Sequence, residues 1–291
     1  MSAPDLRMFL ACVAIWGTTW IAITYQLPGA APEISVALRF ALAAATIAGI
    51  CRWRGEGLRF GLATHLRFAA MGLSMFTAGY LFVYHAETRV ASGLVAVGYC
   101  ASPIVNQWAY RLALGRAVSR RVTWGGLLGI AGVAMIFWPE LSGLTASRDA
   151  ALGALFTALA VLSSATGNVC SSWLEGDGVS VWQKMAWSMT WGAAGALALG
   201  ILRGVPLAVT VDPGFALSLL YLTVFGSVIA FAFYLTLLEH IGGGRAGYIG
   251  VLVPIVALAI SAVFENFAWQ PLTFAGIALA LGGNLFMLRG R

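Results

Sequence analysis

The sequence predicts an all-α polytopic membrane protein, with ten transmembrane helices forming two inverted five-helix repeats, residues 1–145 and 146–291, in one integral membrane unit. Three observations carry this. The 291 residues are 60% hydrophobic and 10% charged, with a mean hydropathy of +0.87, far outside the range of soluble domains. Apolar runs close to the roughly 20 residues that cross ~30 Å of hydrocarbon recur along the chain, separated by short polar or Pro/Gly-marked connections. Segments about 150 residues apart also resemble one another. VGYCASPIVNQ around Pro103 falls on IGVLVPIVALA around Pro254, WGGLLGIAGVAMIF from Trp124 falls on FAGIALALGGNLFM from Phe274, and Gly17 falls on Gly167. Because five is odd, two such halves enter the membrane in opposite senses, the plan of secondary transporters with a substrate site near the midplane.

The runs follow in order. Residues 7–27 are longer than the apolar core of a secretory signal and lead into more membrane, so they read as the first helix. Trp16 and Trp20 share a face there, with Thr19 beside them. The second run, 34–51, contains Arg39. An intramembrane charge is expensive, and Arg39 reads either as an anchor whose long stem snorkels outward to pair locally near Glu33 or as a contact for an anion. In the third run, 66–86, Tyr80 and Tyr84 lie four apart with Thr77 one turn below. His85, beside Glu87 and Arg89, reads as a boundary hydrogen-bonding group or as a partner for a carboxylate. In the fourth, 92–112, Tyr99, Pro103 and Asn106 follow at i, i+4 and i+7, and Pro103 frees a carbonyl near Tyr99.

The fifth run, 122–138, carries the glycines of GGLLGIAG at 125–132, which permit close helix approach. The second half continues with 150–172, bearing Asn168, then 182–202, then 215–238 with Tyr234. The ninth, 245–264, holds Tyr248 and is preceded by the glycine triplet 242–244, which reads as a turn. The tenth, 271–288, offers Gly282 and Gly283 as a packing pair.

The net charge of +6 is an orientation signal rather than a nucleic-acid footprint, because the cations alternate between connections. With the N-terminus inside, the cytoplasmic side receives Arg7, Arg52, Arg54, Arg59, Arg67, Arg111, Arg116, Arg120, Arg121, Lys184, Arg245, Arg289 and Arg291. The outside receives Arg89, Arg148 and Arg203. Both termini are therefore expected in the cytoplasm. Trp108, Tyr110, Trp124, Trp138, Trp173, Trp182 and Trp269 fit interfacial belts, whereas Trp16, Trp20, Tyr80 and Tyr99 lie deeper. The four cysteines lack metal-ligand spacing and read as packing residues. No Ser/His/Asp set, HExxH motif or paired aspartates lies within the runs, which argues against an enzyme; no cofactor and no metal is called for.

WGTTW at 16–20, PEISVALRF at 32–40, SP at 102–103 and the paired glycine-rich fifth and tenth runs resemble the EamA family of the drug/metabolite transporter superfamily, over essentially the whole chain. One departure is visible. Many members carry an acidic residue after the fourth helix; LGRAVS with Arg116 stands here, while Glu265 fills the second-half position. The aromatic content is most similar to that of bacterial aromatic amino acid exporters. The resemblance implies a multi-pass secondary transporter of the bacterial cytoplasmic (inner) membrane whose partners are the lipid bilayer and a small-molecule substrate; a monomer is compatible with it.

All eleven acidic residues fall in connections or at run ends, so no buried carboxylate is expected. That argues against lipophilic cations and against a proton relay. A neutral or zwitterionic metabolite fits better, above all an aromatic amino acid that stacks its ring on Trp or Tyr. The expected substrate-binding residues are Trp16, Thr19, Trp20, Tyr80, Tyr84, His85, Tyr99, Pro103, Asn106, Asn168, Tyr234 and Tyr248, working by alternating access. The alternative is an amino acid, metabolite or drug exporter of broader specificity, with proton coupling.

Overall fold

A computed structural model describes residues 2–142, 148–174, 177–246, 249–265 and 269–288. Ten helices follow one another: α1 (Ala3–Thr24), α2 (Pro32–Trp53), α3 (Leu62–Glu87), α4 (92–114), α5 (Arg120–Ser142), α6 (Arg148–Ser172), α7 (Val181–Leu202), α8 (213–246), α9 (Ile249–Phe264) and α10 (Pro271–Leu288). No strand occurs among the described residues. Six of these helices contain stretches long and apolar enough to cross a membrane, and α9 and α10 contain shorter apolar segments. Each helix overlaps its expected run. The largest difference is α8, which continues to residue 246, so the glycine triplet 242–244 forms the end of a helix rather than a turn.

Local chemistry explains where several helices start and break. Ser2 caps α1 in a reciprocal capping box with Asp5, and Ser180 does the same for α7 with Gln183. Pro103 has no N–H to give the preceding turn, and α4 accordingly tightens into a 3₁₀ turn over Tyr99–Ala101 before resuming as Ser102–Leu114. Pro254 lies inside α9, which continues unbroken around it.

Two interruptions are marked by no proline in the sequence. The chain is π-helical over Gly72–Gly79 in α3 and over Leu222–Ile229 in α8, eight residues in each case and at the same offset as the sequence repeat. A π turn is wider than an α turn and disturbs the regular ladder, leaving groups for partners on other helices. Thr77 donates to the Gly192 carbonyl of α7 at 2.7 Å, and the Gly226 carbonyl accepts the Trp16 indole N–H of α1 at 3.2 Å.

α5 packs along α10 and α2 along α7. The α5–α10 contact is backbone against backbone: a methyl group on Gly132 would lie 2.4 Å from the Gly276 carbonyl, and one on Gly283 2.3 Å from the Gly125 carbonyl. Gly282 faces open space, so only Gly283 of the expected pair packs. Trp108, Trp124, Trp138, Trp173 and Trp269 are exposed, as belt residues would be. Trp182 is half-buried beneath the Arg54 guanidinium. All four cysteines are buried thiols.

Candidate functional site

Two walls of helices part to leave a cavity of about 790 Å³. One wall comes from α1, α8 and α9 through Trp16, Trp20, Phe231, Tyr234 and Pro254; the other comes from α3, α4 and α6 through Tyr80, Tyr99, Asn106, Tyr110 and Asn168. Arg39 of α2 lies between them. The cavity runs from the level of Ile23, Val83 and Ala96 down to exposed Arg116 and Ala117, in the connection between α4 and α5. Its mouth is therefore at the end of the bundle that carries the arginine-rich connections.

Hydrogen bonds between α4 and α6 fix the polar part of one wall. Asn168 donates its amide to Asn106 Oδ1 at 3.0 Å, and Tyr110 donates its hydroxyl to the Asn168 carbonyl at 3.0 Å. The Tyr99 and Ser164 hydroxyls are 3.3 Å apart. Trp16 stands edge-on to Phe231, with ring centroids at 5.3 Å, and Trp20 meets Tyr99 across the walls at 5.3 Å. Among the described lining residues there is no Asp or Glu, whereas Arg39 and Arg116 both contribute.

Of the expected residues, Trp16, Thr19, Trp20, Tyr80, Tyr99, Pro103, Asn106, Asn168 and Tyr234 line this cavity. Tyr84 and His85 do not. Tyr84 is completely buried and donates its hydroxyl to Gln26 Oε1 at 2.6 Å, because its position on the helix turns it toward the end of α1. His85 approaches Glu33 at 3.4 Å, an electrostatic neighbour rather than a well-formed hydrogen bond. Tyr248 lies outside the described residues. Tyr110, expected in an interfacial belt, is a cavity residue.

Arg39 also differs from its local-pairing expectation. Glu33 bonds instead to Arg203, which caps the end of α7. Arg39 is 2% exposed; its Nε donates to Ser227 of α8 at 3.3 Å, its guanidinium carbon lies 4.7 Å from the Tyr80 ring centroid, and Nη1 has no partner. One neutral hydrogen bond contributes about 1 kcal/mol net. Removing a guanidinium from water costs several kcal/mol or more. The bond to Ser227 and the neighbouring Tyr84 hydroxyl, both neutral, therefore do not balance the buried charge.

The expected absence of buried carboxylates does not hold. Glu33 is 1% exposed, and Glu87, at the end of α3, is 7% exposed with neither carboxylate oxygen hydrogen-bonded. Both stand at helix ends, as their sequence positions indicated, but neighbouring helices cover them. Glu265 accepts from the Ser92 backbone N–H at 3.0 Å and from its hydroxyl at 2.6 Å, joining the end of α9 to the start of α4.

Comparison with known proteins supplies the family. A probable amino-acid metabolite efflux pump of Escherichia coli (strain K12) is 24% identical over 302 residues, covering 100% of this chain and 98% of that protein. The inner membrane transporter YedA of the same strain, itself uncharacterised, is 26% identical over 300 residues, covering 97% of this chain and 92% of its own. A solved crystal structure has the same fold at a TM-score of 0.69, with 17% identity and coverage of 98% of this chain and 96% of that one. The sequence model of the EamA-like transporter family matches residues 6–138 and again 151–289. With nearly its whole length matched in this way, and with a cavity between two walls of helices at its centre, the chain belongs to the EamA-like transporter family and is a transporter rather than an enzyme.

Proposed function

We propose that this protein exports small neutral or zwitterionic metabolites, with aromatic amino acids as the preferred class, across the bacterial cytoplasmic membrane. The observation that carries the reading is the cavity, which falls within the usual size range for small-molecule sites and is lined by aromatic rings, amides and hydroxyls without an acidic residue among those described. Relatives named as amino-acid metabolite efflux pumps support the amino acid class. Both termini are cytoplasmic in this reading, and the conformation is open to the cytoplasm.

Transport proceeds by alternating access, with the halves 1–145 and 146–291 acting as inverted repeats that rock about the cavity. The repeated family match and the π segments at equivalent positions support that division. Movement follows the substrate gradient and takes no proton. A second reading, a proton-coupled exporter of broader specificity, is favoured by one observation: Glu87 is buried with an unpaired carboxylate.

Proteoliposomes loaded with tryptophan, threonine or a lipophilic cation test the proposal. Tryptophan efflux should exceed threonine efflux, the cation should stay inside, and an imposed pH gradient should change the rates little. Uphill accumulation driven by pH alone would transfer the case to the second reading. Tyr99→Ala, which removes a ring contact worth roughly 0.5–1.5 kcal/mol, should lower tryptophan transport about two- to tenfold without loss of monodispersity. Unchanged transport in that variant would assign Tyr99 to packing.

A further inference from the structure

We propose that Arg39 is the carboxylate-binding residue of the cavity, so that the transporter selects for the acid group of its substrate and not for the amine. The inference rests on the cavity being the substrate site, and it deepens that reading by naming the group recognised. Arg39 belongs to α2, which otherwise stands outside the two walls, yet its side chain lines the cavity. A structural role would require an internal counter-charge. Among the described residues none pairs with it: Glu33, six residues earlier, is held by Arg203 and approached by His85, and Glu87, within its electrostatic reach, forms no bond to it. Tyr84 donates its hydroxyl to Gln26 while its oxygen lies within hydrogen-bonding reach of the guanidinium, but a neutral phenol supplies no counter-charge.

The surroundings specify the rest of the ligand. Arg39 Nε is taken by Ser227, and Nη1 has no partner. The guanidinium lies against the Tyr80 ring, and Tyr80 itself lines the cavity, as does Phe76, stacked on Tyr80 with centroids 6.4 Å apart. A carboxylate on this arginine would complete a charge-assisted pair and bring a ring on the same ligand among Tyr80, Trp20 and Tyr99. An ammonium group finds no comparable counterpart, since the described lining residues supply no carboxylate. The chemical class is therefore an arylalkyl carboxylate, in which the amino group is tolerated and not required.

Binding to the purified full-length protein, measured by calorimetry with four probes (phenylalanine, 3-phenylpropionate, phenethylamine and hexanoate), tests this. Phenylalanine and 3-phenylpropionate, which share ring and carboxylate, should bind within about threefold of each other, and phenethylamine, with ring and amine only, at least tenfold more weakly. Arg39→Gln should weaken the two carboxylates about ten- to hundredfold and leave phenethylamine unchanged, as expected for a lost hydrogen bond to a charged group. Arg39→Lys, which keeps the charge and loses the planar fork, should restore part of that loss, and it serves as the test variant if Arg39→Gln does not fold. Wild-type affinity for phenylalanine in a folded Arg39→Gln protein, or phenethylamine binding as tightly as 3-phenylpropionate, overturns the proposal. Arg39-dependent binding of hexanoate in place of both aromatic acids would support Arg39 and defeat the aromatic preference instead. No carboxylate binding at all defeats both.

Discussion

The two ends of the bundle are held by different kinds of contact. At the mouth, Arg67 pairs with Asp177 and Asp5 with His240, and each bond stays within one wall, joining α3 to the chain after α6 and α1 to α8, while Ser180 with Glu56 ties the chain before α7 to that after α2, outside both walls. At the sealed end, Tyr84 bonds to Gln26 and Ser92 to Glu265, joining α3 to the end of α1 and α4 to the end of α9. These are helices from opposite walls. Glu33 with Arg203 braces α2 against α7 beside them. The difference shows where closure is encoded. Bonds that cross between the walls, together with the buried Glu33 carboxylate that braces α2 against α7 beside them, hold one end shut, whereas the bonds at the mouth do not cross from wall to wall and leave that end free to part.

A cysteine placed at Ala96, buried at the sealed end of the cavity, reports on that comparison through labelling by a membrane-impermeant maleimide added outside. Glu33→Ala should have the largest effect. It removes a carboxylate shared by Arg203 and His85, and because the Arg203 side chain is 52% exposed, solvent screening limits the change to about tenfold faster labelling. Tyr84→Phe should follow at about fivefold, since it leaves the buried Gln26 carbonyl oxygen without its donor. Ser92→Ala should give roughly twofold, because the Ser92 backbone N–H continues to hold Glu265. Asp177→Asn, at the mouth, should give no change. Faster labelling in Asp177→Asn than in Glu33→Ala would break the comparison outright.

The helices were legible in the sequence because a bilayer imposes a length and a polarity that a single chain must display. The cavity was legible in part for a related reason. Trp16 with Trp20, and Tyr99 with Pro103 and Asn106, advertise one face by their spacing, and that face turned inward. Spacing does not say how far a face extends. Tyr84 shares a stripe with Tyr80, yet one turn further it meets Gln26, 58 residues away in the chain. Arg39 meets Ser227, 188 residues away, and no local rule chooses that serine over nearby Glu33. The π segments escaped for another reason. GLSMFTAG and LTVFGSVI carry no proline, their glycines are of a kind common in unbroken membrane helices, and their distinguishing partners, Gly192 and Trp16, are on other helices. The sequence places Glu33 and Glu87 at helix ends, but their burial there depends on neighbouring helices that no local pattern names.

The glycine seam between α5 and α10 has a mechanical consequence. Where side chains meet, a displacement of an ångström can be absorbed by rotamers; where the carbonyls of Gly125, Gly132 and Gly276 press on the opposing glycines, no such cushion exists. Sliding along this line would drive backbone into backbone. Under the rocking mechanism proposed above, α5 and α10 would serve as an axle, and the swing of one half against the other would grow with distance from it. Even a small side chain there would act on the whole stroke, while its neighbour Gly282, facing open space, would accept one without effect.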